Sequence, residues 1–184
     1  IRLKPLFASL KDGAVQDNAI RYNDAAEGID LQYTAFSSYI KEDIILMQPV
    51  ALTSFDYELT AENPEGKELE YRVEENSLIA YEKVKEGKKT KEVAFCQIDA
   101  PEMYDAAGEV SCGISMKLTE KDGKQILSIQ PDQQWLSAPE RVYPVTIDPT
   151  ATINLSKSNM EWHLVENGHG TKKFAAGPNV NHRK

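Results

Sequence analysis

Residues 55–60 read Phe-Asp-Tyr-Glu-Leu-Thr. The apolar side chains fall at every second position, the period of a strand with one buried face. Ile29-Asp30-Leu31-Gln32-Tyr33-Thr34 and Ile114-Ser115-Met116-Lys117-Leu118-Thr119 repeat the pattern. Ile126-Leu127-Ser128-Ile129 and Val142-Tyr143-Pro144-Val145-Thr146-Ile147 add two more strand signals, and residues 19–22, 42–47, 77–81 and 93–98 are further candidates. About ten short strands separated by turn signals predict an all-β chain, an antiparallel β-sandwich or open barrel with short connections.

The spacers carry turn chemistry. Lys11-Asp12-Gly13 and Lys121-Asp122-Gly123-Lys124 read as hairpin turns, because glycine takes the positive φ these turns require. Asn63-Pro64-Glu65-Gly66 and Glu86-Gly87-Lys88-Lys89 read as turns too, and the mixed charges of residues 82–92 read as a solvated hairpin tip. Only residues 132–136, between Pro131 and Pro139, look helical. Pro144 cannot donate to a ladder and is expected at an edge or bulge. Ile40-Lys41-Glu42-Asp43-Ile44 places charges between apolar positions, a pattern that protects an edge strand from aggregation.

The 184 residues carry a net charge of −8, with 41 % hydrophobic and 27 % charged side chains, an ordinary globular composition. Residues 1–150 hold 16 Lys+Arg against 27 Asp+Glu, a net of −11; residues 151–184 hold 5 against 2, a net of +3, and all 3 histidines. This shift predicts a boundary near Ile147-Asp148-Pro149-Thr150, with a β-sandwich-like domain over 1–150 and an incomplete β-rich segment over 151–184. The acidity of the first part argues against nucleic acid as a partner. No apolar run is long enough for a membrane span. The chain opens on Ile1 without a signal-peptide pattern, so a processed product or excised piece is expected, with any leader outside it. Cys96 and Cys112 are expected as small buried hydrophobes, with a disulfide between them as the alternative.

Catalytic templates are missing. There is no nucleophile elbow, phosphate loop, zinc-protease motif or paired metal cysteines, and no histidine in the first 150 residues. No catalytic, cofactor or metal residue is therefore predicted. Asp24, Glu27 and Asp30, and Asp99, Glu102 and Asp105, are acidic clusters whose oxygens suit Ca²⁺, but neither has EF-hand spacing, and solvated loops are the plainer reading. His163 and His169 flank a Gly-rich loop and read as surface. Tyr104, Trp135 and Trp162 are candidate glycan contacts, since amphipathic rings stack on sugar faces; the alternative for Trp135 is to cap the core.

Four blocks in order carry a resemblance. They are Gly28-Ile29-Asp30-Leu31-Gln32-Tyr33, then Ile40-Lys41-Glu42-Asp43-Ile44-Ile45-Leu46, then Ala100-Pro101-Glu102-Met103-Tyr104-Asp105-Ala106-Ala107-Gly108-Glu109, and the run from Trp135-Leu136-Ser137 through Arg141-Val142-Tyr143-Pro144 to Asp148-Pro149-Thr150. Together they resemble the N-terminal β-rich region of Gram-positive wall-associated RHS/YD-repeat polymorphic toxins and DNRLRE-domain proteins. The resemblance implies a secreted or wall-associated structural and delivery domain, partnered by downstream RHS and DNRLRE regions of the same protein. It implies that residues 151–184 open a DNRLRE-like module, although Asn159-Met160-Glu161-Trp162-His163 departs from that pattern. It also implies a chain that is not itself an enzyme, toxin activity belonging to a C-terminal domain. A cell-wall glycan-binding module and a fragment of a secreted hydrolase are the rival readings.

Overall fold

The computed structural model describes residues 2–37, 39–60, 69–149, 151–153, 161–165 and 171–175, with side chains through residue 149. In chain order the strands are β1 (Arg2–Pro5), β2 (Ala14–Gln16), β3 (Ala19–Ala26), β4 (Ile29–Ala35), β5 (Tyr39–Leu46), β6 (Phe55–Thr60), β7 (Glu70–Glu74), β8 (Ser77–Glu86) and β9 (Lys89–Ile98). There follow β10 (Glu102–Tyr104), β11 (Val110–Ser111), β12 (Ile114–Lys121), β13 (Lys124–Pro131), a short helix α1 (Gln133–Leu136), β14 (Val145–Asp148), β15 (Ala151–Ile153), β16 (Glu161–Val165) and β17 (Thr171–Ala175). Among the described residues the fold is nearly all-β, with three antiparallel sheets and no closed barrel.

A four-stranded sheet runs β1-β6-β13-β12. An eleven-stranded sheet carries β11-β10-β14-β5-β15-β9-β8-β7, with β4, β3 and β2 added on the other side of β5. β16 and β17 pair with each other, His163 opposite Lys173. The alternating residues of β6, Phe55, Tyr57 and Leu59, join one buried cluster with Tyr22, Leu31, Ile44, Leu46, Val145 and Ile147 of the large sheet. Apolar burial between the two sheets is what holds them face to face.

Two prolines shape the centre of the large sheet. Ile147 pairs with Ile44 and Ala151 with Ile40, so β14 and β15 follow β5 in one continuous register. On their other side Asp148 faces Glu102 while Ala151 faces Ile98, which leaves one extra residue on the side of Asp99-Ala100-Pro101. This is a bulge, and Pro101 and Pro149 sit where the ladder is interrupted. β15, just past the charge boundary, lies between β5 and β9 inside this sheet.

Several local expectations change. Lys11-Asp12-Gly13 closes no hairpin, because β1 pairs with β6 and β2 with β3. Gly13 instead lets the chain pass close over β3, where an added Cβ would lie 2.7 Å from Ile20 and Tyr22 atoms. Lys121-Asp122-Gly123-Lys124 does close a hairpin, with φ 53° at Asp122 and 73° at Gly123. β5 is central rather than an edge, so its charges meet partners instead of solvent. The strand expected from Val142, β14, starts at Val145, after a cis Tyr143–Pro144 peptide. Cys96 is buried as expected, but Cys112 is exposed in the link between β11 and β12, and both are free thiols. The Asn63–Gly66 turn lies outside the described residues.

A side chain pins the two sheets at one corner. Asn76, in the β7–β8 turn at φ 62°, donates from Nδ2 to the Ile114 carbonyl (2.7 Å) and accepts at Oδ1 from the Met116 N–H (2.7 Å). It thus acts as a short strand partner for the outer edge of β12. Asn76→Gly keeps the left-handed backbone and loses both bonds. Urea unfolding is expected to show a loss of about 1–3 kcal/mol.

Candidate functional site

The four blocks of the resemblance meet in space. β4 pairs with β5, β5 with β14, and β14 with β10. Three polar assemblies form on this framework.

The first locks the loop after β10 to the segment before β14. Asp105, 3 % exposed, accepts at Oδ1 from the N–H groups of Ala107 and Glu109 (both 2.9 Å). At Oδ2 it accepts from Arg141 Nη1 (2.7 Å) and from the Val142 N–H (3.2 Å). Burial alone would raise the Asp105 carboxyl, but these four donors outweigh it and hold the group below the usual carboxylate range. The Arg141 guanidinium lies 3.5 Å from the centre of the Trp135 ring and donates from Nε to the Trp135 carbonyl (3.2 Å). Asp132 caps α1 by accepting from the N–H of Gln134, which presents Trp135 to the arginine. Tyr143 donates its hydroxyl proton to the Leu136 carbonyl (3.0 Å).

The second lies between the sheets. Glu42 on β5 is 5 % exposed and shares a face with Ile44 and Leu46. Its Oε1 accepts from Tyr33 of β4 (2.9 Å) and from Tyr57 of β6 (2.8 Å), so one carboxyl joins both sheets. Burial pushes Glu42 up to about 7, against the pull of the two hydroxyls, and both tyrosines are raised in turn.

The third is on the outer face of the large sheet. Lys41 Nζ bonds Asp43 (2.8 Å) and Asp148 (3.1 Å), and lies 5.8 Å from the centre of the Tyr104 ring. Burial opposes the charge on Lys41, yet the two carboxylates hold its proton more tightly than usual. Burial likewise raises Asp43, partly offset by Lys41. Nearby, Arg21 binds Asp30 Oδ2 (2.7 Å), and Asp30 Oδ1 accepts from the Asp24 N–H (2.8 Å).

These contacts place the residues singled out from the sequence. Tyr104 is half-buried on the outer face, beside Lys41. Trp135 is half-buried with one ring face taken by Arg141. The Trp162 side chain, His169 and His182 lie outside what is described. Each acidic cluster departs from the solvated reading at one member: Asp30 and Asp105 are buried and paired with arginines, while Asp24, Glu27 and Glu102 are exposed. Among the described residues, no group of three or more His, Cys, Asp or Glu is arranged to hold a metal ion. Sequence reasoning missed Arg141 and Glu42. Their signals were a lone arginine in a charge-poor run, and a glutamate in the same-face register as Ile44 and Leu46.

Loss of the arginine leaves Asp105 with its backbone donors only. Arg141→Ala is expected to lower the melting temperature by roughly 5–10 °C. Arg141→Lys is expected to recover little, since an ammonium cannot bridge the carboxylate, the Trp135 carbonyl and the ring together. Thermal unfolding followed by circular dichroism checks both.

Comparison with known proteins gives the context. The chain is 32 % identical over 167 residues to the tRNA nuclease WapA of Bacillus subtilis, a match covering 90 % of this chain and 7 % of the relative. It is 31 % identical over the same length to the tRNA3(Ser)-specific nuclease WapA of Bacillus spizizenii, again over 7 % of that protein. No family model and no solved structure matches. The expectation of a protein that is not an enzyme is thereby corrected, because the relatives are named as tRNA nucleases. The chain spans 7 % of the length of these relatives and is homologous to one segment of WapA.

Proposed function

We propose that the chain is a structural and delivery segment of a large exported, wall-associated RHS-type toxin protein related to the WapA tRNA nucleases. One observation carries this reading: the four blocks pair in the order β4-β5-β14-β10, and the third and fourth are clipped together by Asp105–Arg141–Trp135, next to the strands that run into the 151–153 segment. Its role is to connect and display the rest of the toxin at the cell surface, partnered by the downstream regions of the same protein. A tRNA substrate for the parent protein is inferred from the names of the relatives.

Arg141→Ala in the full-length parent protein tests the role. Killing of neighbouring cells is expected to fall at least tenfold, while the purified variant cleaves tRNA at the rate of the parent. A matching loss of tRNA cleavage would overturn the structural reading.

A second reading, a wall-glycan contact, rests on Tyr104. Its ring is half-buried on the outer face beside Lys41, Asp43 and Asp148, a mixed aromatic and polar setting suited to hydroxyl-rich ligands. Sedimentation with purified cell wall, lost in Tyr104→Ala, supports it; no sedimentation of the parent chain removes it.

A further inference from the structure

The sandwich core contains one acid in an otherwise apolar stripe. Glu42 precedes Ile44 and Leu46 on the inward face of β5, and all three are buried. A carboxylate there must find donors or a proton, because an isolated buried charge is costly. Tyr33 comes from β4 and donates to Oε1; Tyr57 comes from β6 and donates to the same oxygen. Tyr22 of β3 stands edge-on to Tyr33, and Phe7 edge-on to Tyr57, closing the surround with rings. Asp43 adds like charge from the adjacent position. Lys41, on the opposite face, is engaged by Asp43 and Asp148. Among the described residues, no cation contacts Glu42.

We propose that Glu42 is a proton-controlled tie between the two sheets, firm when its carboxyl is protonated and slackened when it ionises. The reason is the composition of the surround: two neutral hydroxyls offset part of a negative charge, and no positive charge among the described residues completes the compensation. The ionised form therefore favours any opening of the sheets that lets water reach Glu42.

The sign follows from linkage. Burial sets the folded carboxyl at about 7, against 4.5 for an ordinary glutamate. Between those values the folded chain keeps a proton that the unfolded chain releases, so this group's contribution is full below about 4.5 and declines as pH rises through 7.

The test is urea unfolding of the whole chain from pH 5 to pH 8. The folding constant of the parent is expected to fall by about two orders of magnitude across that window. Glu42→Gln, neutral at every pH and still able to accept from both tyrosines, is expected to remove that fall. Parallel profiles for parent and variant would overturn the proposal. Should Glu42→Gln fail to fold, isotope-edited infrared spectroscopy of the parent reads the buried carboxyl C=O directly. A band that persists at pH 6 and disappears near 7, moving to higher pH in Tyr57→Phe, supports the tie. Complete ionisation by pH 5.5 overturns it.

Discussion

The Asp105 carboxylate accepts four hydrogen bonds, and the way β14 enters the large sheet follows from them. Two come from its own loop and close it; two come from residues 141 and 142 and bring the chain back. That return sets the entry of β14, which pairs with both β10 and β5. Arg141 could not be buried to 5 % exposure without this partner and the Trp135 ring against its flat side. A charged pair of this kind adds little net stability compared with an apolar replacement, but it admits one arrangement of the segments and excludes others.

Two of the buried acids, Asp105 and Glu42, respond to pH in opposite senses. Asp105 is held below its ordinary range, so its contribution is present at neutral pH and lost only in strong acid. Glu42 is held above its range, and its contribution is lost toward alkaline pH. The same protein thus uses one carboxyl surrounded by donors, including a cation, and one surrounded by rings. The difference lies in what each meets, not in the residue type.

Much of the fold was legible in the sequence because period-two alternation is a local signal. The runs at 29–34, 55–60 and 114–119 lie within β4, β6 and β12, and Asp122-Gly123 marks the β12–β13 turn. β10 escaped notice because three residues, Glu102-Met103-Tyr104, are too few to show a period. Lys41, Glu42 and Asp43 read as edge protection in the sequence because charge in a strand usually marks exposure. Their partners lie far off in the chain: Tyr57 is 15 residues from Glu42, and Asp148 more than a hundred from Lys41. Such pairs depend on topology, which no local window contains. The resemblance blocks, by contrast, lie on strands that the topology brings together, pairing in the order β4-β5-β14-β10.

The continuous register of β14 and β15 along β5 has a mechanical side. β15 is flanked by β5 and β9, both antiparallel to it. Tension applied along β15 therefore loads the hydrogen bonds on both sides together rather than one after another. Strands pulled in this direction must slide as a unit before they separate. Behind β15, the same load reaches β14 and then the Arg141 clip, in series. The geometry is that of an anchor, which transmits pull into the interior of the sandwich instead of peeling its surface.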